Sequence, residues 1–126
     1  MLSGIFYRDV QFFRFYKDGV FLDCLIKARR GPVPTYEEKE QIYSWFDRKK
    51  PSKGTLVGRY AARRQTAIRG DIRFNTPGHF WDGRLTEYVG KYDSKVLILT
   101  SPNHNTGRRL ENQVFTRLSF NHPRKG

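Results

Sequence analysis

Three histidines and one cysteine are the residues of this 126-residue chain best suited to metal binding or proton transfer, and their placement argues against both. His79, His104 and His122 fall in stretches rich in Gly, Pro and Asn, without the i, i+4 pairing or Cys-x-x-Cys spacing that holds a metal ion. His79 and Asp82 flank Trp81 as an acid/base pair in outline, but a loop histidine near an aspartate is ordinarily a surface hydrogen bond. No Gly-x-Ser-x-Gly elbow, Walker loop or dinucleotide fingerprint occurs. Cys24 lies in the apolar run Val20 to Ile26 and reads as a small buried core residue. The expectation is a non-enzymatic protein with no metal and no cofactor.

What remains for chemistry is positive charge. Lysine and arginine number 24 against 12 acids, a formal net charge of +12, and the pI is about 10.2. Such a balance suits an anionic partner, either a small anionic or amphipathic ligand or a nucleic acid or other polyanion. A role as a protein-interaction or structural subunit is the third class, for which the sequence names no partner. No apolar run approaches the roughly 18 residues that span a bilayer, and the opening residues lack a secretory apolar region. A cytoplasmic protein without a membrane span is expected.

The elements that must carry these charges are mostly strands. Alternation runs through 2 to 8 and 11 to 16, where Phe13 and Phe15 share a face opposite Arg14. Lys17-Asp18-Gly19 is a hairpin turn, and Val20, Leu22, Cys24 and Ile26 then line one face of the return strand. Gly31-Pro32-Val33-Pro34 breaks the pattern, and Thr35 with Glu38 has the spacing of a capping box. A helix over about 36 to 48 follows inside an insertion of residues 28 to 54. Glu37, Glu38 and Glu40 at its start and Arg48, Lys49 and Lys50 at its end complement the dipole, with Ile42, Trp45 and Phe46 as its apolar face.

Strand periodicity resumes with Leu56, Gly58, Tyr60 and Ala62, then Ile68, Gly70, Ile72 and Phe74. Asn75-Thr76-Pro77-Gly78 reads as a turn, 85 to 92 and 95 to 100 as strands joined at Asp93-Ser94, and about 112 to 120 as the last strand before a frayed tail at 121 to 126. About eight sequential antiparallel strands are most economically closed into one up-and-down β-barrel spanning 1 to 126, which removes the exposed edges. The fold class is mainly β with one inserted α-helix.

Leu2-Ser3-Gly4-Ile5-Phe6-Tyr7, Phe13-Arg14-Phe15-Tyr16-Lys17-Asp18-Gly19, Gly58-Arg59-Tyr60 and Leu97-Ile98-Leu99, in this order, resemble small lipocalin-like domains of the calycin type, many of them in uncharacterised bacterial proteins. A weaker similarity connects the opening and hairpin to the carboxy-terminal region of some F-box proteins. The calycin resemblance implies a barrel with a ligand site, where Phe13, Phe15, Leu22, Tyr60, Ile72 and Phe74 are candidates for cavity lining as well as for core packing. In a meander the connections alternate between the two barrel ends. That rule gathers Lys27, Arg29, Arg30, Lys49, Lys50, Arg108 and Arg109 into an anion-binding rim at one mouth, with Trp45, Phe46 and Trp81 as mouth aromatics and the helix as a partial lid.

Overall fold

A computed structural model describes residues 2–26, 34–51, 54–66, 68–76, 86–102 and 107–119. Eight strands appear in chain order: β1 (Gly4–Arg8), β2 (Gln11–Phe15), β3 (Val20–Leu25), β4 (Leu56–Arg64), β5 (Gly70–Thr76), β6 (Thr86–Tyr92), β7 (Val96–Pro102) and β8 (Arg109–Arg117). Each pairs antiparallel with the next, and β1 pairs with β8 through Phe6 opposite Arg117 and Tyr7 opposite Thr116, so the sheet closes on itself. Among the described residues there is one helix, α1 (Tyr36–Trp45), lying between β3 and β4.

The strand boundaries follow the chemistry of the turns. Gly19 takes a φ of 91° after Asp18, whose carboxylate accepts from the Val20 N–H, as a tight Asp-Gly turn requires. Asp93 does the same work between β6 and β7, accepting from the Lys95 and Val96 N–H groups at 2.7 and 2.8 Å. Three boundaries depart from the sequence expectation. Ile68 sits in the β4–β5 turn, 59% exposed, because the first ladder pair of that hairpin is Arg64 with Gly70. Asn75 and Thr76 continue β5 instead of turning, and β8 begins at Arg109, before Asn112.

Inside the barrel, Phe6, Phe13, Phe15, Phe21, Tyr60, Phe74, Tyr88 and Phe115 pack with Leu97 and Leu99 into one buried cluster. Phe13 lies 5.2 to 6.4 Å from five other rings, most of them edge-on or tilted, as ring quadrupoles favour. A second buried cluster, Ile5, Phe12, Leu22, Cys24, Ile42, Phe46 and Leu118, lies on the outer face of β1 to β3, under α1. Both faces of these three strands are thus apolar. Cys24 is buried there, as its neighbours predicted.

The capping box at Thr35 and Glu38 forms in full. The helix nevertheless ends at Trp45, with Phe46 as its C-cap, and no basic residue occupies its last turn. Arg48, Lys49 and Lys50 lie beyond the end and do not serve the dipole. That role falls to Arg14 of β2, whose guanidinium donates to the Tyr43 and Phe46 carbonyls and lies 5.1 and 5.5 Å from the Tyr16 and Tyr43 ring centroids. Tyr43 Oη also donates to the Leu118 carbonyl at 3.0 Å. The helix is consequently clamped to the outer wall, not poised over a mouth, and the lid expectation is corrected.

Tyr60 supplies a pH-dependent tie. Its hydroxyl lies 2.6 Å from the Leu2 carbonyl and also within reach of the Tyr16 carbonyl, so only the protonated phenol can hold these acceptors. Burial, aided by Tyr92 and Asp18, pushes its pKa up to about 12. Because the folded value lies above the unfolded value of about 10, the stabilisation is complete below pH 10 and is lost as pH rises through 12. Urea midpoints measured from pH 8 to beyond 11 should fall by the equivalent of up to about 2 kcal/mol, and Tyr60→Phe should flatten that slope.

Candidate functional site

The alternation that builds the core also dictates what lies above it. Counting by two toward the end bearing the β1–β2, β3–β4, β5–β6 and β7–β8 connections, the inward positions pass from Phe21 to Asp23, from Phe74 to Thr76, from Leu99 to Ser101 and from Phe115 to Gln113. All four polar residues are buried, Asp23 fully so. They form a polar storey on the aromatic column. Gln113 Nε2 donates to Ser101 Oγ at 2.9 Å and to the Leu110 carbonyl at 3.1 Å, while its Oε1 accepts from Arg8 at 3.3 Å. Thr76 Oγ1 lies 3.3 Å from Asp23 Oδ2, and Gln11 Nε2 lies 3.5 Å from Asp23 Oδ1 and 3.4 Å from Tyr88 Oη.

Tyr88 joins the two storeys. Its ring stacks on Phe74 at 5.1 Å and meets Phe13 edge-on at 5.5 Å, while its hydroxyl enters the polar network. Burial pushes its phenol pKa up, so the group stays a neutral donor and acceptor around neutral pH. The arrangement offers a carboxylate, an amide, hydroxyls and the Arg8 guanidinium at one mouth, over an apolar floor. Sequence reasoning missed these residues: Thr76 reads there as a turn residue, the strand is ended before Ser101, and the inward row of β3 is taken as Leu22 and Cys24 in place of Phe21 and Asp23.

The candidate residues fare differently. Phe13, Phe15, Tyr60, Ile72 and Phe74 all face the interior and pack into its core cluster. Leu22 does not: Phe21 and Asp23 take the inward positions of β3, so Leu22 faces outward under the helix. Arg108 and Arg109 lie at the polar mouth, where Arg109 opposes Pro102. Lys49 and Lys50 belong to a segment held at the opposite end, where Arg48 pairs with Asp18 of the β2–β3 turn and donates its N–H to Tyr16 Oη at 3.1 Å. The expected single rim therefore divides. The reason is that the connection between β3 and β4 passes along the wall rather than staying at the end where it starts. Phe46 is a core residue of the helix interface. Lys27, Arg29, Arg30 and Trp81 lie outside the described residues, as does the Trp45 side chain.

Other cations stand on the outer wall. Arg59, Arg63, Arg73 and Lys91 are exposed on β4 to β6, interspersed with Asp71 and Glu87. Among the described residues no group of three or more His, Cys, Asp or Glu is placed to hold a metal ion, and no helix is long and apolar enough to cross a membrane.

Fold and site together define a mainly β protein, a closed eight-stranded antiparallel up-and-down barrel whose interior is aromatic in its body and polar at its ends. Comparison with known proteins finds no matching family model, no significantly similar curated protein and no significantly similar solved structure.

Proposed function

We propose that this chain is a lipocalin-like, non-enzymatic binding module that takes a small amphipathic ligand at the mouth lined by Arg8, Gln11, Asp23, Thr76, Tyr88, Ser101 and Gln113. The observation that carries this reading is the buried polar storey itself. Apolar residues at these inward positions would stabilise the barrel more, since buried polar groups at best recover their desolvation through hydrogen bonds. Retaining them is the usual signature of a site held ready for a partner at some expense of stability. Because the column below is packed, a ligand would rest on top of the polar storey with its head at Arg8 and Gln113, clear of the buried Asp23. Arg8, with Arg108 and Arg109 on β8 or next to it, favours an anionic group.

Anilinonaphthalene sulfonate, an apolar body with one anionic head, is the appropriate probe. It should bind saturably at one site, with affinity reduced about tenfold or more in Arg8→Gln and in Gln113→Leu. Gln113→Leu should at the same time lower stability by about 1–3 kcal/mol, because it leaves Ser101 and the Leu110 carbonyl without their partner. Absence of saturable binding, or binding unaltered in both variants, would remove this reading. Binding of a short oligonucleotide that ignores the mouth variants and collapses between low and moderate salt would point to the exposed wall cations as a polyanion surface instead.

A further inference from the structure

The same count by two, followed toward the other end of the barrel, leads from Tyr60 and Ala62 to Arg64, from Tyr88 and Gly90 to Tyr92, and from Phe115 to Arg117. Arg64, Arg69, Arg117, Tyr92, Thr66 and Leu2 are among the residues lining a pocket of about 210 Å³ at that end. Arg117 is fixed: its Nε donates to the Ser94 carbonyl at 2.7 Å and its guanidinium lies 4.8 Å from the Phe6 ring centroid. Thr66 Oγ1 accepts from the Ile68 and Arg69 N–H groups, shaping the turn that carries Arg69. Among the described residues no hydrogen bond or ion pair holds the guanidinium of Arg64 or Arg69.

One acid lines the pocket, Asp93, whose Oδ1 accepts from two backbone N–H groups of the β6–β7 turn and whose charge is also felt by Arg69. Three guanidiniums against one engaged carboxylate leave a cationic recess. Gly70 lets Tyr92 pack closely over the β4–β5 hairpin, for a Cβ there would fall 2.5 Å from Tyr92 Oη and 2.6 Å from the Arg63 carbonyl oxygen. Next to the pocket is a recess of about 270 Å³ that shares Arg69, Tyr92 and Asp93 and is bounded by Val96 and Ile98, the latter 37% exposed.

We propose that this end of the barrel is a second binding site, in which Arg64, Arg69 and Arg117 hold the phosphate of a small phosphomonoester and the Val96–Ile98 recess takes its apolar substituent. The planar forks of several arginines match an anion with several equivalent oxygens, which a single carboxylate would not fill. Arg69 stands between the two recesses and so meets the phosphate where it joins the substituent. The site is independent of the polar mouth at the other end.

Phenyl phosphate, inorganic phosphate and phenol, titrated separately at constant ionic strength and followed by amide chemical shifts, test the assignment. Phenyl phosphate should bind saturably, about five- to tenfold tighter than inorganic phosphate, and phenol should not bind. Arg69→Gln and Arg64→Gln, both exposed and so free of any role in the core, should each weaken both phosphates about tenfold or more, while Arg8→Gln should leave them unchanged. Equal affinity for the two phosphates would overturn the ester assignment in favour of free phosphate. No saturable shift, or unaltered binding in both arginine variants, would overturn the site itself.

Discussion

Truncating Phe13 to alanine should lower the stability of the barrel by about 3–5 kcal/mol, a drop of some 10–20 °C in Tm for a domain of this size. Phe13 is fully buried and reaches Phe15, Phe21, Phe74, Tyr88 and Phe115, so its ring touches residues of β2, β3, β5, β6 and β8 at once. Alanine would leave a void that these rings cannot fill, because each is held by its own strand in a closed sheet. Thermal unfolding followed by far-ultraviolet circular dichroism reads the effect. A loss below about 1 kcal/mol would mean that the column collapses readily and is far less tightly packed than its ring geometry implies. Phe13→Leu, which keeps most of the volume, should recover more than half of the loss.

The second large effect is expected at Arg14. Arg14→Leu removes the donor that serves the Tyr43 and Phe46 carbonyls at the C-terminal end of α1, together with a cation placed near two tyrosine rings. A charged hydrogen bond to partly buried acceptors contributes about 1.5–3 kcal/mol and the ring contacts add a fraction more, so a total near 2–3 kcal/mol is expected. Location distinguishes this loss from that of Phe13→Ala. Amide exchange should accelerate over Tyr36–Trp45 while β5 to β7 keep their protection, because the helix can lift from the wall without opening the barrel. Uniform acceleration over all eight strands would contradict a local clamp. Arg14→Lys should restore only part of the protection, since a single ammonium cannot span two carbonyls as the planar fork does.

Arg14 also marks where sequence reading stopped. The strands, their order and the closed barrel follow from periodicity and turn chemistry, since Asp18-Gly19 and Asp93-Ser94 announce turns by local backbone preference alone. The start of the helix was equally local, carried by Thr35 and Glu38. Its end was not. Arg48, Lys49 and Lys50 have the right charge and the right position in sequence, yet the cation at the helix terminus comes from another element about thirty residues earlier. A dipole is indifferent to which strand supplies its counter-charge, so no pattern within the helix reveals Arg14.

The candidate site was half legible for a related reason. Alternation assigned two faces to β3 but not which face looked inward, because Val20, Leu22 and Cys24 are as apolar as a lumenal row would be. Only the docking of Ile42 and Phe46 explains an apolar outer face. With the inward row taken to be Leu22 and Cys24, buried Asp23 was placed on the outside and the polar storey went unseen. Likewise the expected basic rim assumed that each connection remains at the end where it begins. A connection long enough to hold a helix along the wall breaks that assumption, and it carries Lys49 and Lys50 to the far end.

The helix gives the barrel two unlike sides. Over β1 to β3 the sheet is packed on both faces, rings within and α1 without, whereas β4 to β8 have a single packed face and leave Val57, Ile98 and Val114 to solvent. A closed sheet clad in this way is mechanically lopsided, stiff along one arc and compliant along the other. Amide exchange is expected to be faster in the arc with one packed face than in β1 to β3. That arc supplies Thr76, Tyr88, Ser101 and Gln113 to one end and Arg64, Tyr92 and Arg117 to the other. Both ends thus draw residues from the one stretch of sheet that α1 does not cover.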